Sequence, residues 1–365
     1  MQPMKSPPTS PTSPTSPTSR RRFLTAGTAA ALGGLNVLVP RAARAADAAP
    51  TIGHGSHRYR QVQGWGVLDP SAHPVGDCHE IVEDRRGRII VFQTDPKNNI
   101  LIYDKSGKLL DSWGTTFPGA HGLEIVDENG EEFLFLTDTS AGSITKVTLD
   151  GKAVFVLGRP KDTPQYPEGS PFKPTNVMPA PDGSFFVGDG YGSHYILHYD
   201  QDGGLLEITG GPGEDPENVN TPHGGMVRKK EYSPGDFDSG ADPQAHLLIC
   251  SRADNAIKTL RADGTHLSTV TLPGLRVCQI KRRGDFYYTP HLEGLISVLD
   301  LDLKVVSNPG GTAPEFGDDG QVKPITKADS TFVHPHGIHV DADDSVYVAQ
   351  WNSGKTYPIK LERVS

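Results

Sequence analysis

Beyond residue 46 the chain is written in short runs in which apolar and polar side chains alternate, each run cut off by Gly, Asp or Asn. The spacing of an amphipathic helix is almost absent. The runs share one grammar. A first unit predicts strands over 78–84, 88–93, 100–103 and 109–113, with turns at Arg86-Gly87 and Ser106-Gly107. A second predicts strands over 121–126, 132–137, 143–148 and 153–157, turning at Asn129-Gly130 and Asp150-Gly151. The third starts at Thr175 and turns at Asp182-Gly183 and Asp202-Gly203. The fourth starts at His223, carries a charged, Gly- and Pro-rich insertion over 229–243 and turns at Asp263-Gly264.

The fifth unit is the least regular, running from Cys278 through 286–289 and 295–299. The sixth starts at His336 and supplies three strands. Residues 59–65 echo the strand ending at Trp113-Gly114 and are expected to supply its fourth, closing the ring and hiding both sheet edges. Repeated four-stranded units with six starts predict an all-β, six-bladed β-propeller, with a β-sandwich or solenoid as the plainer rival.

Composition adds a leader. Residues 6–19 repeat Pro, Ser and Thr and cannot build a core. Ser19-Arg20-Arg21-Arg22-Phe23-Leu24 then opens a mildly apolar stretch that ends at Ala43-Arg44-Ala45. This order of basic, apolar and small residues is that of a twin-arginine export signal. The expected organisation is a leader and signal peptide over 1–45 and one propeller domain over 46–365. Export would place the protein in the periplasm or outside the cell.

Of the 35 basic residues, six lie in 1–45, whereas all 44 acidic residues lie beyond, so the remainder carries a net charge of −15. So acidic a surface excludes nucleic acid and anionic membrane as partners. After cleavage no stretch is long and apolar enough to span a bilayer. Cys78, Cys250 and Cys278 are too few, and odd in number, for a disulfide framework. A closed ring leaves no free edge, so a monomer is expected.

Three similar tetrapeptides bring chemistry: Ala120-His121-Gly122-Leu123, Pro222-His223-Gly224-Gly225 and Pro335-His336-Gly337-Ile338. In a propeller the first strand of each blade lines the channel, and its first residue sits on the rim. The six rim positions read His79, His121, Thr175, His223, Cys278 and His336. Even-numbered blades would then aim three imidazoles at one axis, which is an open zinc site with a free position for substrate. The Gly after each His is read as leaving space beside the ring. A lone His at a strand start is more often a hydrogen-bonded turn residue, but three at equivalent positions point to a metal. His79 and Cys278 share this ring and are read as supporting the ligands, with either able to join or replace one. From loops on the same face, Tyr191 is a candidate general base and Arg252 a candidate carboxylate clamp. The plainer readings are a half-buried tyrosine in a tight turn and an arginine paired with a structural Asp.

In this order, Leu157-Gly158-Arg159, Pro174-Thr175-Asn176-Val177, Asp189-Gly190-Tyr191, Arg252 and the His-Gly motifs resemble NHL-type six-bladed propellers. In particular the chain resembles peptidyl-α-hydroxyglycine α-amidating lyases, over most of 79–361. The resemblance implies zinc on His121, His223 and His336, Tyr191 as base, Arg252 in the site, and C–N cleavage releasing a peptide amide and glyoxylate. It also exposes departures. The family's first-blade arginine has no counterpart in Phe92-Gln93-Thr94-Asp95, and Ser193-His194-Tyr195 lacks the cation usual after the tyrosine. Gly192 replaces a disulfide cysteine, and Gly337 replaces an Asp that holds a structural calcium. Zinc is therefore expected more firmly than calcium. No hydroxylating domain is expected beside the propeller.

The leading expectation is a secreted zinc-dependent lyase acting on a small-molecule or peptide-derived substrate. Two others stand beside it. One is a non-catalytic exported propeller that binds a protein or glycan. The other is different metal chemistry such as lactone hydrolysis, against which the all-histidine trio counts.

Overall fold

The structure is a computed structural model and describes residues 49–161, 163–228 and 246–364. The Pro/Ser/Thr leader, the twin-arginine segment with its cleavage-like site, and the insertion at 229–243 lie outside the described residues.

Six antiparallel sheets follow the chain in order. Blade 1 is built from Cys78–Glu83, Ile89–Gln93, Ile100–Tyr103 and Leu109–Trp113, close to the strands read from the alternation. Blade 2 extends from Ala120–Glu128 to Ala153–Leu157, and blade 3 from Asn176–Pro179 to Leu205–Gly210. Blade 4 runs from Pro222–Arg228 to His266–Thr271, and blade 5 from Lys281–Arg283 to Val305–Ser307. Burial explains which strands read as continuous apolar runs. Ile89–Gln93 is buried at every position because neighbouring blades cover both faces, whereas the outermost strand Leu109–Trp113 is partly exposed.

There is no single core. Six apolar clusters each join two neighbouring blades, as with Phe92 and Leu136 between blades 1 and 2 and Ile81 and Tyr347 between blades 1 and 6. Burying one such side chain contributes about 1.5–3 kcal/mol, so every blade depends on both neighbours.

The sixth sheet draws on both ends of the described chain. Pro335–Val340, Val346–Gln350 and Ile359–Val364 are followed in space by His57–Val62 and then Thr51–His54, which makes five strands instead of four. The outer segment begins at His57 and stops at Val62, because Gly64 and Gly66 both take positive φ and break the strand before Trp65. Trp65 instead packs beneath, its ring 5.4 Å from Tyr103 and 5.2 Å from Tyr347, and its Nε1–H donates to the Lys105 carbonyl at 3.1 Å. Cys78, Cys250 and Cys278 are all buried and free. Among the described residues no helix is long and apolar enough to cross a membrane.

Candidate metal centre

The histidines owe their direction to a defect in the sheets. In blades 2, 4 and 6 the first strand slips register against the second at the motif, between Ala120 and Leu123, Pro222 and Gly225, and Pro335 and Gly337. One residue too many on the first strand is a β-bulge, which re-aims a side chain out of the pleat. His121, His223 and His336, 1–4% exposed, turn towards one another. Their ring centroids lie 4.8, 4.8 and 4.9 Å apart, close to an equilateral triangle.

Each ring is then hooked to the next blade. His121 Nδ1–H donates to the Thr175 carbonyl, His223 Nδ1–H to that of Cys278, and His336 Nδ1–H to that of His79, all at 2.8 Å. Even blades thus supply imidazoles and odd blades the carbonyls that orient them. A carbonyl only accepts, so each Nε2 keeps its lone pair. The glycines serve the same contact. A Cβ would stand 2.6 Å from the Thr175 oxygen at Gly122, 2.3 Å from the Cys278 oxygen at Gly224 and 2.5 Å from the His79 oxygen at Gly337. The space beside each imidazole is therefore taken by its own acceptor.

These donors fit a metal. Burial, aided by Arg252, lowers the pKa of His121 to about 3 and drives those of His223 and His336 well below the usual imidazole value, leaving the rings neutral. His121 Nε2 is buried without a hydrogen-bond partner among the described residues. Donor atoms of His79, His121 and His336 fall within 4.8 Å of one another, as do those of His223, Cys278 and His336. An imidazole set with a thiol beside it suits zinc. Burial pushes the Cys278 thiol up to about 12, so it is protonated.

Tyr191 and Arg252 lie over His223. Arg252 Nη2 donates to Tyr191 Oη at 2.7 Å, and Tyr191 Oη lies 2.9 Å from His223 Nε2. With Nδ1 already the donor, the phenol must donate to Nε2, so its proton and a metal need the same lone pair. Burial raises the phenol's pKa and Arg252 opposes it. The loop that presents Tyr191 is wound around the Asp189 carboxylate, which accepts from the backbone of Lys173 and Ser193 and from Tyr166 Oη. A Cβ at Gly192 would meet that carboxylate at 2.0 Å, which accounts for a glycine there. Arg252 opens a 3-10 turn, Arg252–Asp254, while Asp254 binds Asn220 and Ser251.

A cleft of about 500 Å³ opens beside this pair, lined by Tyr191, His194, Thr221, Arg252, Asn255 and Arg276. His194, Thr221 and Asn255 all have φ of 52–64°, and for the β-branched Thr221 that is strained backbone of the kind functional loops store. Arg276 escaped the sequence reading because it sits in an irregular connection, as did the orienting role of the Thr175, Cys278 and His79 carbonyls. Deeper in the channel, Gln279 Nε2 donates to Glu80 at 2.8 Å and Lys281 pairs with Glu124. Gly337 offers no carboxylate where the resemblance implies a calcium ligand, and Glu80 and Glu124 are each engaged by a neighbouring side chain.

No protein-family model matches the chain. It is 30% identical over 183 residues to a Caenorhabditis elegans protein named "Probable peptidyl-alpha-hydroxyglycine alpha-amidating lyase", covering 43% of this chain and 51% of that one. It is 26% identical over 250 residues to peptidyl-alpha-hydroxyglycine alpha-amidating lyase 2 of Drosophila melanogaster, covering 64% and 57%. The chain thus spans about half the length of the curated relatives it matches. Among solved structures, a gluconolactonase from Xanthomonas campestris superposes with a TM-score of 0.56 at 12% identity, covering 86% of this chain and 97% of that one. A streptogramin B lyase gives 0.54 at 15%, covering 85% and 98%. At such identities the superpositions speak for the fold alone. The chain is a six-bladed β-propeller similar to the α-amidating lyases.

Proposed function

We propose that this protein is a zinc-dependent lyase that splits N-acyl-α-hydroxyglycines into an amide and glyoxylate. One observation carries the reading: three imidazoles hooked through Nδ1 onto neighbouring carbonyls, with Tyr191 and Arg252 laid over one of them. The distant relatedness to α-amidating lyases supports it. His121, His223 and His336 would hold the metal, which supplies Lewis acidity toward the substrate's hydroxyl oxygen when bound.

The chain's own residues do the rest. Arg252, with Arg276 on the same cleft, receives the substrate carboxylate. Tyr191 Oη, its phenolate favoured by Arg252, takes the hydroxyl proton. The freed electron pair forms the carbonyl of glyoxylate, the C–N bond breaks, and the amide nitrogen takes the proton back from Tyr191. The tyrosine ends as it began.

Zinc-loaded protein should release glyoxylate from an N-acyl-α-hydroxyglycine, and chelation or His223→Ala should abolish the release. Full zinc loading without glyoxylate would reject this substrate. A protein that takes up no zinc would instead be a binding propeller. The same reading includes export by the twin-arginine route as a monomer. Replacing Arg20 and Arg21 by Lys should hold the protein inside the cell, and unchanged export would refute that part.

A further inference from the structure

One imidazole of the cluster has no role in this reading. His79 is 7% exposed, and neither of its ring nitrogens has a hydrogen-bond partner among the described residues. Leaving a buried polar group unsatisfied is costly, so such a side chain calls for an explanation. Its ring stands 4.6 Å from His121 and 4.7 Å from His336. Its donor atom lies within 4.8 Å of theirs.

The backbone marks His79 in the same way as the other three. Blade 1 slips register between Cys78 and Glu80, with His79 on the bulge. Blade 3, whose rim residue is Thr175, pairs its first two strands without a slip, whereas blade 5 shifts by one residue between the Val277–His291 bridge and the Lys281–Tyr288 pair, around Cys278. Every rim histidine therefore sits on a bulge, and the fifth bulge carries Cys278, a rim side chain that also offers a metal donor atom.

One difference separates His79 from its companions. They are tethered through Nδ1 to a carbonyl, whereas its ring has no hydrogen-bond partner among the described residues and only its backbone carbonyl reaches a companion, His336. We propose that His79 is a fourth imidazole donor to the metal, and the exchangeable one, leaving when substrate needs the position. A four-imidazole set is closed and a three-imidazole set is open, so exchange of the untethered ring reconciles a filled resting centre with catalysis. The inference rests on the metal reading above and adds a ligand to it.

X-ray absorption on zinc-loaded protein tests this by counting imidazoles. Four are expected in the wild type, and three in His79→Phe, which keeps a ring packed against His121 and His336. Zinc affinity, measured by competition with a chromophoric chelator, should fall about tenfold or more in the variant. Saturating glyoxylate should lower the wild-type count to three. His79→Ala gives a second measurement should the phenylalanine disturb folding. Three imidazoles in the wild type, or an affinity that neither variant changes, would overturn the fourth ligand and leave the trio standing. Wild-type protein that binds no zinc overturns both readings.

Discussion

Gly224→Ala tests whether the glycine after each histidine exists to let a carbonyl reach the ring. The added methyl would sit 2.3 Å from the Cys278 oxygen and 2.7 Å from Gln279 Cα, where ordinary contact begins at 3.4 Å. Both neighbours are backbone, so no side chain can rotate away, and blade 5 must move by about 1 Å. Overpacking of this kind costs about 1–3 kcal/mol, and stretching the His223–Cys278 hydrogen bond beyond its 2.8 Å removes about 1 kcal/mol more. At roughly 2–4 °C per kcal/mol, Tm should fall by roughly 4–16 °C. Zinc affinity should drop about 10–100-fold, because an unhooked imidazole is free to turn. Scanning calorimetry and chelator competition measure the two effects. Gly158→Ala is the control, since its nearest neighbour stands 4.0 Å away. Gly337→Ala and Gly122→Ala, at 2.5 and 2.6 Å, should behave in the same way with smaller effects. Unchanged zinc affinity in Gly224→Ala would refute the reasoning, whatever happened to Tm.

Tyr191→Phe should cut glyoxylate release about 10²–10⁴-fold with zinc content unchanged, and lost zinc would instead make the phenol part of the metal-holding structure. Arg276→Ala should raise KM for a substrate carboxylate about tenfold with kcat kept, and an equal loss of kcat would place Arg276 in the chemistry. Removing zinc from protein held at 100 times its Kd should cost about 2.7 kcal/mol, read as a lower Tm that zinc alone restores. His291 is buried with Nε2 at 3.0 Å from both Thr289 Oγ1 and Ser297 Oγ, and burial lowers its pKa from 6.5 to about 3. The unfolded imidazole binds a proton that the folded one refuses, so its share of stability is present above pH 6.5 and lost as pH falls towards 3. That share is on the order of 5 kcal/mol, so His291→Gln should flatten the acid limb of a stability–pH curve, and parallel curves would sink the assignment.

Most strands were legible because each blade repeats one alternation and ends its hairpins on Gly or Asp. Ile100–Tyr103, Ser143–Thr148 and Leu295–Leu299 fall where the apolar spacing puts them. Thr51–His54 was missed because a short outer strand buries little and so leaves little hydrophobic signal. Tyr191 and Arg252 stood out as reactive side chains at equivalent ends of second strands. Arg276 did not, since an irregular connection carries no period from which its place could be read.

The residues alone determined a ring of six sheets and named the side chains that gather at its mouth, because strand period and repeat spacing are local properties of a chain. Folding decided what those side chains do. A bulge is a mismatch between two strands, and a hydrogen bond from one blade's imidazole to the next blade's carbonyl joins residues more than fifty positions apart. Neither exists until the ring has closed. For that reason the sequence could place His79 beside the trio, yet only the packed structure buries both its ring nitrogens without a hydrogen-bond partner among the described residues.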